Sequence, residues 1–303
     1  MRFEGTSGEA WMRPWRLRVL GLALAVCVSG SPPLHAQPPV ASSGPTRVLF
    51  IGNSYTHFNN LPGMFRALAE AAGAGQVEVG MAAFGGGRLV DHWERGSARD
   101  VLRQGAWDVV VLQEQSTLGV NHVVGGQPRV GGDEVFAPAA ERWAAEIKRA
   151  GARPVFFLTW ARRATPQDQA LLTEAYQRAA RRAGAQVAPV GIAWEQVCTR
   201  APQIELFVED GSHPSPAGTY LAACTMVATI FGRNPEGLPG KVTGPPANAG
   251  TGQVEPGLTV VLADVPPAHA RQLQAAAWKA AQAVIPASGG RGARAPGGVR
   301  PGG

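Results

Sequence analysis

Cysteine is scarce in this 303-residue chain. Of three, Cys27 lies in an amino-terminal apolar stretch, leaving Cys198 and Cys224 for the body of the protein. With no CxxC pair and no His-rich tract, a zinc site and a disulfide-built scaffold are excluded. A single bond between Cys198 and Cys224 stays open, because it depends on geometry that sequence does not supply. Long apolar runs are missing as well: the stretch from Val19 to Val28 is too short to span a bilayer. The body also lacks an excess of one charge. The chain carries +6, but four Arg and two Glu before residue 37 supply +2, and Arg291, Arg294 and Arg300 supply +3. The remaining +1 argues against a phosphate-tracking surface and so against a nucleic-acid partner. Gly85-Gly86-Gly87 has neither the Lys-Ser/Thr ending of a phosphate loop nor the acidic partner of a dinucleotide fingerprint, and no EF-hand spacing occurs. No cofactor and no metal are therefore expected.

What is present begins with a leader. Arg13, Arg16 and Arg18 precede the short apolar stretch, and Leu34-His35-Ala36 offers small-residue cleavage before Gln37. Residues 1–36 thus read as a signal peptide, which places the mature protein in the periplasm or outside the cell, with no integral membrane segment after cleavage. Val26 stands where a lipoprotein would need a small residue before Cys27, so lipidation is not expected. A Pro/Ser-rich spacer follows at 37–46, then a domain at 47–232. Residues 233–285 read as a Gly/Pro-rich connector with an appended strand and helix packed on the core. A tail at 286–303, too poor in apolar residues to bury anything, reads as disordered.

Within the domain, short apolar runs alternate with helical patterns. Val48–Ile51, Val77–Ala83, Val109–Leu112, Pro154–Thr159 and Gln186–Val190 read as about five strands. Pro62–Ala72, Val135–Ala150, Gln167–Ala183 and Pro216–Phe231 read as helices. This alternation predicts an α/β fold with a parallel sheet covered on both faces. Beyond it, Leu258–Ala263 reads as a strand, and Leu273, Ala277, Ala280 and Val284 fall at helical spacing.

Ser54 closes the first strand in Gly52-Asn53-Ser54, and Asp210-Gly211-Ser212-His213 precedes the helix starting near Pro216. A serine just past a strand sits at the carboxyl edge of a parallel sheet, where ligands of open α/β folds bind. An Asp three residues before a His is placed to orient the imidazole as the serine's base. Each residue alone has a plainer explanation: Ser54 or Thr56 as a helix cap, Asp210 as a turn cap, His213 packed on Pro214. The three together point to nucleophilic catalysis. The α/β-hydrolase elbow Gly-x-Ser-x-Gly is not matched by Gly52-Asn53-Ser54-Tyr55-Thr56, so another serine-hydrolase scaffold is indicated.

From Arg47 to Phe231 the chain resembles the SGNH, or GDSL-type, hydrolases. The resemblance rests on Ile51-Gly52-Asn53-Ser54, the glycine turn after the second strand, Val111-Leu112-Gln113 after the third, and Asp210-x-x-His213 before the last helix. It implies a flavodoxin-like three-layer α/β/α sandwich and ester hydrolysis by a triad of Ser54, His213 and Asp210. The form of these blocks is similar to a less characterised branch. Asn53 replaces the usual Asp, and Leu112-Gln113-Glu114-Gln115-Ser116 replaces the Gly-x-Asn-Asp block. An oxyanion hole needs neutral or cationic donors. The Gly86 N–H and the Gln113 carboxamide are the expected ones, together with the Ser54 N–H; Gln115 is the alternative to Gln113, and Glu114 must point away. The glycines serve a tight turn equally well.

His57 and His92 lie near the first two blocks and read as surface or packing residues rather than pocket residues. Trp93, Trp107 and Trp160 read as core or rim aromatics ahead of sugar platforms. The expected function is an exported esterase removing acetyl or other short acyl groups from a carbohydrate or small-molecule ester. A ligand-binding module that lost its chemistry, and an acyltransferase, are the rival readings.

Overall fold

The computed structural model describes residues 44–284, so the expected leader at 1–36, most of the spacer and the tail at 286–303 lie outside the described residues. Strand β1 (Thr46–Gly52) is followed by the one-turn α1 (Ser54–His57) and by α2 (Leu61–Ala71). Strand β2 (Val77–Ala83) leads to α3 (Leu89–Arg95) and α4 (Ser97–Gln104). After β3 (Val109–Leu112) comes a hairpin of β4 (His122–Val124) and β5 (Gln127–Arg129), then α5 (Phe136–Arg149). Strand β6 (Arg153–Phe157) precedes α6 (Gln169–Ala183), and β7 (Gln186–Ala188) precedes α7 (Val190–Arg200) and α8 (Pro216–Phe231). An antiparallel pair, β8 (Lys241–Gly244) and β9 (Val260–Asp264), and α9 (Pro267–Val284) complete the described chain.

The five-stranded sheet runs β2-β1-β3-β6-β7 with every pairing parallel. This is the doubly wound order of flavodoxin-like folds, and it bears out the three-layer α/β/α expectation. Alternate residues of one strand feed opposite layers, as the pleat requires. Val48 and Phe50 pack with Leu61, Phe65, Trp194 and Leu221 on one face. Leu49 and Ile51 pack with Leu89, Leu102, Trp143 and Tyr176 on the other. Burial on both faces explains why these strands read as unbroken apolar runs instead of alternating ones.

Caps fix the helices that border the sheet's carboxyl edge. The Asn60 side chain accepts from the Gly63 N–H (3.1 Å) ahead of α2, and the Ser215 hydroxyl accepts from the Gly218 N–H (3.1 Å) ahead of α8. Helix α8 is buried almost all round, since it lies against α2 on one side and α9 on the other. Helix α9 turns Leu273, Ala277 and Ala280 inward, and none of the three is exposed. Among the described residues, no helix is long and apolar enough to cross a membrane.

Candidate active site

The chain reverses direction across the sheet between β1 and β3, and a crevice forms at such a switch point. Three loops meet there. Gly52 ends β1 without a side chain because a Cβ would lie 2.4 Å from Thr56 Oγ1 and 2.5 Å from Gln113 Oε1. Asn53 caps α1 by accepting the Tyr55 N–H at 3.1 Å, and its own Nδ2 donates to Gly87 O at 2.9 Å. Asn53 and Asn60 do the capping, so the Ser54 hydroxyl is not used for it.

Ser54 Oγ instead lies 2.8 Å from His213 Nε2. His213 Nδ1 lies 2.5 Å from Asp210 Oδ2, while Asp210 Oδ1 accepts the backbone N–H groups of Ser212 (2.8 Å) and His213 (2.9 Å). Burial by itself would raise the Asp210 carboxyl; the His213 side chain and the two backbone donors outweigh it and hold that carboxyl below its ordinary range. A carboxylate accepting at Nδ1 leaves the lone pair at Nε2, facing the serine. The imidazole is clamped by Phe58, stacked at 4.4 Å between centroids, and by Tyr55, edge-on at 5.7 Å.

Sequence reasoning missed what holds the Asp210–His213 turn. Tyr55 Oη is 2.6 Å from Ser212 Oγ, and the Trp160 indole N–H donates to Ser212 O at 3.0 Å. Tyr55, Trp160 and Trp194 form one buried stack, with centroid spacings of 4.5 and 3.9 Å. Burial raises the Tyr55 phenol, which stays neutral. Tyr55 stands next to the serine, so its position was the one available hint. Trp160 is therefore core. Trp93 meets Trp143 edge-on, and Trp107 precedes β3 at the opposite edge of the sheet, with its indole N–H on Val101 O.

Gln113 does not present its carboxamide to the crevice, contrary to expectation. Its Oε1 accepts from Asn53 N–H (2.9 Å) and Thr56 Oγ1 (2.8 Å), and its Nε2 donates to Asn53 Oδ1 (2.9 Å) and Glu114 O (2.6 Å). Both amide hydrogens are engaged behind Ser54, where Gln113 braces the Asn53 loop. Gln115, by contrast, accepts the Thr117 N–H (2.9 Å) and hydroxyl at its Oε1, and among the described residues its amide nitrogen has no acceptor. Gln115 and Gly86 line the same cavity. Gly86 has φ +65° in a turn closed by Gly87 N–H to Phe84 O, and among the described residues neither its N–H nor that of Ser54 has an acceptor.

Glu114 does turn away: its buried carboxylate accepts the N–H of Leu89 (3.1 Å) and of Gln115 (2.6 Å). His57 and His92 are buried packing residues, not surface ones, and burial lowers both. His92 Nε2 lies 2.7 Å from Gly52 O, and His57 Nε2 lies 2.9 Å from Ala249 O. Both cysteines are free, Cys198 exposed and Cys224 buried.

No protein-family model matches this chain, and no curated protein sequence does. Solved structures do. A Slackia heliotrinireducens protein assigned as an SGNH hydrolase is 31% identical over 62% of this chain and 100% of its own length, with a TM-score of 0.50. A DUF4886 family protein from Bacteroides uniformis is 19% identical over 78% of this chain and 95% of its own, with a TM-score of 0.53, and shares the fold.

Proposed function

Because this chain belongs to the SGNH hydrolase superfamily, we propose that it hydrolyses carboxylic esters with Ser54 as nucleophile, His213 as general base and Asp210 as the orienting carboxylate. The observation that carries the reading is the unbroken relay from Ser54 Oγ to His213 Nε2 at 2.8 Å and from His213 Nδ1 to Asp210 at 2.5 Å. Ser54 Oγ bonds to the ester carbonyl carbon as its proton passes to Nε2. The carbonyl oxygen takes the electron pair and faces the N–H groups of Ser54 and Gly86, with the Gln115 amide as the side-chain donor. Collapse of the tetrahedral adduct breaks the bond to the alcohol, which leaves with the proton from Nε2. Water then repeats the sequence on the acyl-enzyme and frees the acid. Gln113 acts one layer back, by fixing Asn53 and so the Ser54 N–H.

The substrates we favour are acetyl or other short acyl esters of a carbohydrate or small molecule, met outside the cytoplasm after removal of the leader. Purified Ser54→Ala protein should keep its circular dichroism spectrum and lose turnover of an aryl acetate by about 10³-fold or more. Undiminished turnover by that folded variant overturns the assignment. Labelling by a phosphonate probe separates this reading from a noncatalytic ligand-binding protein: the enzyme acquires the adduct at Ser54, and the binding protein does not.

A further inference from the structure

The cavity that Gly86 and Gln115 enter has a volume of about 330 Å³, the lower end of the range for small-ligand sites. Its walls also carry Arg88, His122 and Arg162, and no Asp or Glu. The arginines of this region differ in how their charge is met. Arg88 is paired with Asp91 at 2.6 Å, Arg129 with Asp168 at 2.5 Å, and Arg163 with Glu205 at 2.5 Å. Among the described residues Arg162 forms no ion pair. Its side chain's one partner among those residues is the Ser116 hydroxyl, reached by Nε at 3.2 Å and Nη2 at 3.1 Å.

That geometry matters because guanidinium has five N–H donors in a planar fork. Two point to Ser116, which leaves three, two of them along the Nη1/Nη2 edge, the edge that takes a carboxylate in a bidentate manner. Arg162 is half-buried and held by Ser116, so little side-chain freedom remains to be lost on binding. Both buried carboxylates of this region are engaged elsewhere: Glu114 accepts the backbone N–H groups of Leu89 and Gln115, and Asp168 pairs with Arg129. The cavity also lies on a definite side of the reaction centre. The leaving alcohol must meet His213 Nε2 to receive its proton, and His213 is absent from the cavity wall while the oxyanion donor Gly86 is part of it. An ester whose acyl portion extends into it keeps its alcohol beside His213, outside the cavity wall.

We propose that this cavity is a subsite for a carboxylate at the far end of the acyl chain, bound by Arg162, so that half-esters of short dicarboxylic acids are the substrate class. This rests on the reading of Ser54 as nucleophile. The test pairs monoethyl glutarate with ethyl pentanoate, an uncharged ester of the same acyl-chain length, and follows acid release for the wild type, Arg162→Gln and Arg162→Lys. The wild type should prefer the half-ester in kcat/KM by about tenfold or more, the scale of one charge-assisted hydrogen bond. Arg162→Gln should bring the ratio near one, whatever it does to both rates through Ser116, and Arg162→Lys should restore part of it. A wild-type ratio near one, or a preference that survives Arg162→Gln, overturns the subsite. An acetylated uronic acid preferred over its neutral sugar counterpart, with no preference in the acyl pair, overturns its placement on the acyl side. Calorimetric titration of Ser54→Ala protein with glutarate needs no turnover: heat of binding that Arg162→Gln abolishes supports the subsite, and no binding overturns it. Failure of the Ser54 assignment would instead appear as turnover retained by Ser54→Ala.

Discussion

At the scale of single residues, Glu114 carries the sharpest pH signature. Its side chain is fully buried, and burial raises its carboxyl from 4.5 to about 7, even though the N–H groups of Gln115 and Leu89 and the charge of Arg88 pull the other way. The folded protein therefore binds more protons than the unfolded chain between these two values. The stability that the neutral form contributes is complete below 4.5 and is lost as the pH rises through about 7. Glu114→Gln, which mimics the neutral carboxyl, should flatten the dependence of the thermal midpoint on pH across that window; an unchanged slope would show that other groups set it. Because Glu114 ties the first residue of α3 to Gln115, it joins the glycine turn to the third-strand loop. The need for Glu114 to face away followed from the chemistry of an oxyanion. Its actual partners, and the withdrawal of Gln113 behind Asn53, depend on side-chain directions that a linear pattern does not contain.

At the scale of elements, the five sheet strands and the helices α2, α5, α6, α8 and α9 were legible because each is a run with one periodicity, whereas α7 follows β7 after a single residue and was not read. The helices α3 and α4 were not: they have seven and eight residues and meet at Gly96, whose φ of +81° breaks the pattern. The three-residue strands of the β4–β5 hairpin are mostly exposed and offer no apolar run to read. Packing between elements also reverses a rule of helix propensity at Gly218 in α8. In an open helix, Gly→Ala stabilises by about 1 kcal/mol. Here a new Cβ would lie 2.3 Å from Leu206 O and 2.5 Å from the Trp194 ring. Gly218→Ala should therefore destabilise by about 1–3 kcal/mol, seen as a lower midpoint in urea, since backbone cannot move aside as a flexible side chain does. A raised midpoint would mean that α8 shifts freely against the segment before the Asp210–His213 turn.

At the scale of the whole molecule, the sheet's carboxyl edge gathers Ser54, Gly86, Gln115 and His213 from segments far apart in the chain, so the site exists only when the layers are assembled. Helix α9 lies outside that gathering yet packs on α7 and α8, which carry the segment holding Asp210 and His213 between them. Leu273→Ala, at a site with no exposed surface, should cost about 2–5 kcal/mol and lower the thermal midpoint by roughly 5–15 °C while the folded enzyme keeps its turnover number. A midpoint within a degree of wild type would place α9 outside the cooperative unit. The order of the five sheet strands, the serine after the first of them and the Asp-x-x-His before the helix at Pro216 were determined by the sequence alone. Apolar periodicity and short motifs are local properties that survive in a string of letters. Which glutamine lines the cavity, what clamps Ser212, and the fact that no described residue gives Arg162 an acidic partner were decided only by tertiary structure, because each depends on which distant side chains arrive within hydrogen-bonding distance.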